Sequence, residues 1–446
     1  MSTISKIFCS VKNFSILIGI FFSIFIFSLN ASAARLESFD NYFKGSSLGP
    51  VQKKESAHFV VSWVNPKDEL IADSLLQHLE AAHQELNPIF KDSSETRAKV
   101  PVEIFPDLKS FSDVSKLSMA RFKATGTIAL TLDQRLMILS PRNLVTGYNW
   151  AVTVVHEYVH YLIREISMDH IPIWLHEGVA QIFQGYPYQK EMKLSPSQWG
   201  LFKKSKEKNK LLDLDTLKEP FPTRKTPEEA ELAYIEALLF ADWLNKKCGV
   251  LKVIHSAGRL KSVEKALSEC TGWSNEVLKK KFMQEILANV TIPAGKDVEF
   301  FARDFSGGDP LEVEGKKADK KSRDFAQLST ELFKQGRYRS SATELEKAFK
   351  ESPVHPPSWQ RQLASAYEKV GEKKKSASIL DQVVRDYPDD AAAWYLIAQQ
   401  QYKNGEQKPA WISFVKAFFI NPFLDGLAEE MRTLREKNPS FNYSFF

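Results

Sequence analysis

The sequence predicts an α+β domain, with a small mixed sheet and a helical subdomain, followed by an all-α solenoid of repeats. Three observations predict it. Strand-like and helix-like apolar periods alternate between residues 57 and 139. An apolar helix then carries His156-Glu157-Tyr158-Val159-His160. Beyond about residue 322, Gly336, Gly371 and Gly405 stand 35 and 34 residues apart, and Pro353, Pro388 and Pro422 repeat the same steps.

At 446 residues the chain exceeds one ordinary core and divides into two or three domains. A formal net charge of +5 gives no sign of a nucleic-acid partner. The basic runs Lys203-Lys204, Lys279-Lys280-Lys281 and Lys373-Lys374-Lys375 read as solvated helix faces. Residues 1–33 read as a signal peptide: Lys6 and Lys12 precede an apolar run from Phe14 to Leu29, and Ala31-Ser32-Ala33 is a small-x-small cleavage site. The alternative is an uncleaved membrane anchor, against which the run is slightly short for a span and is followed at once by Asn30 and small residues; no stable span is expected after cleavage. The absence of a cysteine at the cleavage point argues against lipoprotein processing. Cleavage would place the mature chain in the periplasm or outside the cell, with a net charge of +3 once Lys6 and Lys12 are removed. In such an oxidising compartment Cys248 and Cys270 can pair, closing a loop of roughly twenty residues worth about 3 kcal/mol. The alternative is two buried thiols.

Taken in order, residues 34–55 read as a loosely ordered lead-in to the domain spanning 34–293. Ala57–Trp63 reads as a strand, Pro66–Phe90 as an amphipathic helix and Val100–Phe105 as a second strand. Leu108–Phe122 reads as one helix. Thr127–Leu132 and Leu136–Leu139 are short β-rich runs ending at Pro141. A helix over about Asn149–Ile166 follows, then a mostly helical stretch from 172 to 290. The glycines and charges of residues 294–321 predict a linker. In the repeats, Leu328, Leu363 and Ile397 correspond, as do Leu345, Leu380 and Phe414, and Ala348, Val383 and Ala417. This pattern resembles three tetratricopeptide (TPR) repeats over 322–446, each a helix pair, with Asp425–Lys437 as a capping helix. The resemblance implies a surface for a protein partner.

The chemistry centres on His156 and His160. Four residues apart on a helix, they share a face and can share a metal ion, with Glu157 beside them to polarise a water. Val152, Val155, Val159, Leu162 and Ile163 predict that the helix is buried, where unpartnered imidazoles are costly and metal ligation removes the cost. A catalytic zinc needs a third protein ligand. The metzincin pattern would place glycine and histidine where Ile163 and Ile166 stand, so it fails. The remaining candidates are Asp169, His170, His176 and Glu177. Glu177 is the strongest, because Trp174–Ala180 reads as the start of a helix returning beside the first, with Gly178 allowing the two to approach closely.

His156-Glu157-x-x-His160 followed by Trp174-Leu175-x-Glu177-Gly178-x-Ala180 resembles the gluzincins, the thermolysin- and aminopeptidase-like zinc peptidases, over roughly residues 55–290. The resemblance implies one zinc ion held by His156, His160 and Glu177, with Glu157 as general base, acting on a peptide or protein substrate. Tyr234, on a later predicted helix, is the candidate donor to the tetrahedral oxyanion. No counterpart of the aminopeptidases' glycine-containing amine-capture motif is present. An edge strand within Thr125–Leu139 would hold an extended substrate by its main chain. The alternatives are a catalytically inactive TPR scaffold of the cell envelope and a zinc hydrolase of non-peptide amides.

Overall fold

The computed structural model describes residues 37–90, 98–190, 193–294 and 298–441, so the expected signal peptide lies outside the described residues. Five strands form one mixed sheet: β1 (Gln52–Glu55), β2 (Phe59–Trp63), β3 (Val100–Phe105), β4 (Ala129–Leu132) and β5 (Arg135–Leu139). Their order is β1-β2-β3-β5-β4, with β2, β3 and β5 parallel and the two outer strands antiparallel to their neighbours. The central strands are almost wholly buried, which explains their near-continuous apolar runs. β1 and a short helix, α1 (Phe39–Tyr42), fall in the stretch expected to be loosely ordered. Phe39 and Phe43 fix it there, their ring centroids 5.2 and 6.3 Å from that of Phe105.

Helix α2 (Glu69–Phe90) covers the sheet with Ile71, Leu75, Leu79 and Leu86. The single helix expected over Leu108–Phe122 is two, α3 (Leu108–Ser115) and α4 (Met119–Thr125). Lys116 turns left-handed at φ 63°, and the Ser118 side chain starts a new helix by accepting from the Arg121 N–H.

Helix α5 (Trp150–Ser167) is capped by Asn149, whose side chain accepts from the Val152 N–H, and ends at a left-handed Met168. It buries Val154, Val155, Tyr158, Val159 and Leu162 against the sheet and α2. The chain returns as α6 (Ile173–Phe183) and continues through α7 (Pro196–Glu207), α8 (Pro227–Cys248), α9 (Val250–Leu260), α10 (Val263–Thr271) and α11 (Asn275–Lys281). Gly178 serves a different contact from the one expected. A Cβ there would lie 2.4 Å from the Ala237 carbonyl and 2.6 Å from Ala241 Cβ, so the glycine admits α8, not α5. Cys248 and Cys270 form a disulfide joining α8 to α10.

The segment expected as a linker is anchored along its described length. The Val298 carbonyl sits 2.2 Å from where a Cβ on Gly200 would be, Glu299 pairs with Lys204 and Lys317, and Phe305 packs into the core. Helix α12 (Pro310–Gly315) then receives the second repeat: the Trp359 indole donates to the Leu311 carbonyl at 2.9 Å.

Three helix pairs follow: α13 (Lys320–Lys334) with α14 (Tyr338–Glu351), α15 (Pro357–Lys369) with α16 (Lys373–Asp386), and α17 (Ala391–Lys403) with α18 (Gln407–Ile420), ending in α19 (Leu427–Lys437). Gly336, Gly371 and Gly405 make the turns within the pairs at φ 74°, 83° and 84°, a conformation that favours glycine. The third pair shares the core of the sheet domain. The Trp150 indole donates to the Phe418 carbonyl at 2.9 Å, the Tyr148 N–H to the Ile420 carbonyl at 2.9 Å, and the Phe419 ring stands 5.2 Å from that of Trp150. Among the described residues no helix is long and apolar enough to cross a membrane.

Candidate metal centre

Helices α5 and α6 bring His156, His160 and Glu177 together. Four-residue spacing places both imidazoles on one face of α5, and the turn through Met168 to Pro172 returns the chain so that Glu177 faces them. His156 Nε2 lies 3.1 Å from Glu177 Oε2 and 3.1 Å from His160 Nε2, and the third edge, His160 Nε2 to Glu177 Oε2, is 3.4 Å. The three donor atoms could hold a metal ion. Of the other expected third ligands, His170 turns to the Ser167 carbonyl and Asp169 pairs with Arg164. His176 stands behind the cluster, its Nδ1 3.4 Å from His160 Nδ1.

The outer nitrogens are also engaged. His156 Nδ1 lies 2.8 Å from Gln184 Oε1, and an amide oxygen only accepts, so Nδ1 carries the proton and Nε2 presents its lone pair to the cluster. Burial works against the His156 cation, but the Glu177 carboxylate, by hydrogen bond and charge, and then Glu157 outweigh it and raise the pKa. Burial opposes the Glu177 anion too, yet His160 and His156 hold its pKa well below the usual carboxylate range. His176 goes the other way: burial, then the neighbouring His160, lowers it to about 3, so it is a neutral imidazole. His156 and Glu177 thus stabilise opposite charges in one another.

Glu157 faces the sheet side of the cluster. The Thr131 hydroxyl, on β4, donates to it and lies 2.7 Å from Oε2 and 2.8 Å from the Glu157 carbonyl oxygen. Burial raises the Glu157 pKa against the opposing charges of His160 and His156, and a raised pKa makes a stronger base. Among the described residues β4 pairs only with β5 and is an edge of the sheet, with Ala129 and Thr131 turned inward. Tyr234 is half-buried on α8, its ring edge-on to Phe221. Burial, then Glu177 and Glu157, raises its phenol well above 10, so the hydroxyl stays protonated and able to donate. Sequence reasoning missed Thr131, Gln184 and Arg303 of the anchored segment, whose charge also reaches Tyr234. Only for Thr131 was there a signal, a polar residue at the inward phase of an alternating strand.

A family model described as tetratricopeptide repeat matches residues 332–399, so this part of the chain is TPR. Among solved structures, the first TPR domain of Spaghetti bound to an HSP90 peptide matches 28% of this chain and 98% of its own length, at 18% identity and a TM-score of 0.26. No curated protein matches the chain.

Proposed function

We propose that this chain is an exported zinc-dependent peptidase of the gluzincin type whose TPR repeats dock a protein partner or substrate. The observation that carries the reading is the convergence of two imidazoles and one carboxylate at 3.1, 3.1 and 3.4 Å beside a second, buried carboxylate. Zinc bonds of about 2.0–2.1 Å at tetrahedral angles separate neighbouring ligand atoms by roughly 3.3 Å, so the donor set fits three corners of such a site. The Cys248–Cys270 disulfide supports an oxidising compartment.

His156, His160 and Glu177 would hold the ion. Zinc supplies an acidified water and polarises a carbonyl when bound. Glu157, steadied by Thr131, would accept a proton from the attacking water and return it to the departing amine. The protonated Tyr234 hydroxyl donates to the oxyanion. The outer edge of β4 offers main-chain hydrogen bonds to an extended peptide beside Glu157.

Zinc analysis and peptide-library digestion test this directly. The purified protein should carry one zinc per chain and cleave peptides, while Glu157→Gln should keep the metal and lose about 10²–10⁴-fold in rate. Zinc-free protein would sink the reading. Unchanged cleavage products from Glu157→Gln would leave a structural metal and a binding scaffold.

A further inference from the structure

The anchored segment after Val298 brings a cation to the site. Arg303 Nη1 donates to the Gly126 carbonyl at 3.3 Å, and a Cβ on Gly126 would lie 3.8 Å from Arg303 Cβ and Nη1. The side chain therefore lies along Gly126, just ahead of β4. That is its sole hydrogen bond among the described residues, and no carboxylate of theirs comes within ion-pair distance. Most of the guanidinium's donors are left for something else. Its position is nonetheless fixed, because Val298, Glu299 and Phe305 hold the segment on either side. Its charge reaches Tyr234 and Tyr148, the same two phenols that Glu157 influences. It also reaches Asp389, which burial pushes up and which accepts instead from Asn149 at 3.3 Å. An exposed arginine held along Gly126 at the head of the edge strand, with most of its donors unused and its charge reaching Tyr234, has a task left open to it.

We propose that Arg303 forms an anion subsite for a substrate carboxylate on the C-terminal side of the scissile bond. A peptide added antiparallel to β4 runs its C-terminal residues toward the start of that strand, where Gly126 and Arg303 stand. A planar guanidinium with free donors suits a carboxylate, which it can take in two parallel hydrogen bonds. The carboxylate can come from a free chain end or from an Asp or Glu side chain. The inference rests on the hydrolase reading and names its substrate class.

The test measures binding in zinc-loaded Glu157→Gln protein, with and without Arg303→Met, by fluorescence anisotropy. The probes are three short N-terminally labelled polyalanine peptides: a free acid, the carboxamide, and a carboxamide ending in Glu. An anionic peptide should bind about 10- to 100-fold more tightly than the neutral amide. The preference should fall to near one in Arg303→Met, with Arg303→Lys between, at unchanged zinc content. Whichever anionic peptide shows the preference identifies the source. A preference that survives Arg303→Met, or no binding to any of the three, overturns the proposal. Digestion of the neutral amide by wild-type protein, run in parallel, separates the two readings. Cleavage without an Arg303-dependent preference fails the subsite, and a preference without cleavage fails the hydrolase.

Discussion

Gln184 decides which nitrogen of His156 faces the cluster, and it does so from the end of α6, seven residues past Glu177. Gln184→Leu should lower zinc affinity by about 10–100-fold in competition with a chelator, leaving all three ligands in place. A second residue gives a pH test away from the cluster. Glu236 on α8 is buried and accepts the Leu212 N–H with both oxygens, at 3.0 and 3.1 Å. Burial raises it from 4.5 to about 8. The unfolded chain ionises this carboxyl first, so its stability contribution is fully present below pH 4.5 and is lost as the pH rises through about 8. The loss is up to about 5 kcal/mol at 1.36 kcal/mol per unit. Glu236→Gln keeps an acceptor for Leu212, so its melting temperature should fall less than that of wild type between pH 5 and 8.5. At this scale the sequence was legible where chemistry is local, as in His156, Glu157 and His160. Gln184, Thr131 and Arg303 act through tertiary approach, and no spacing in the chain announces them.

Helices α6 and α8 meet at Gly178, and the fit leaves no room for a methyl group. Alanine is the better helix former by up to about 1 kcal/mol, but overpacking costs about 1–3 kcal/mol and the clashing atoms include backbone. Gly178→Ala should therefore lower stability in urea and, because Glu177 is the adjacent residue, weaken zinc binding as well. Among elements, α2, β3 and the repeat helices were legible because each carries a sustained period. The break between α3 and α4 was not, since Ser112 and Ser118 read as ordinary polar positions on one helix. β1, α1 and the anchored segment were also missed. Their apolar residues, Phe39, Phe43 and Phe305 among them, set no sustained period, and the core they join forms only in the fold.

The sheet domain and the third repeat bury one another, so the molecule does not divide where the period begins. Phe419 packs on both Trp150 and His78, and Phe419→Ala should cost about 3–5 kcal/mol of stability for the whole chain. A chain ending at Asp386 uncovers Trp150 and should be recovered as aggregate, where a detachable repeat array would leave a soluble remainder. The sequence held one unread hint: Trp411, Phe414, Val415, Phe418 and Phe419 make α18 apolar on most sides, as a helix buried on all of them requires. The order of synthesis now matters. Trp150 must wait 268 residues for the carbonyl of Phe418, roughly 13–54 s at ribosomal speeds of about 5–20 residues per second. The helix bearing both histidines thus spends that interval without its final cover.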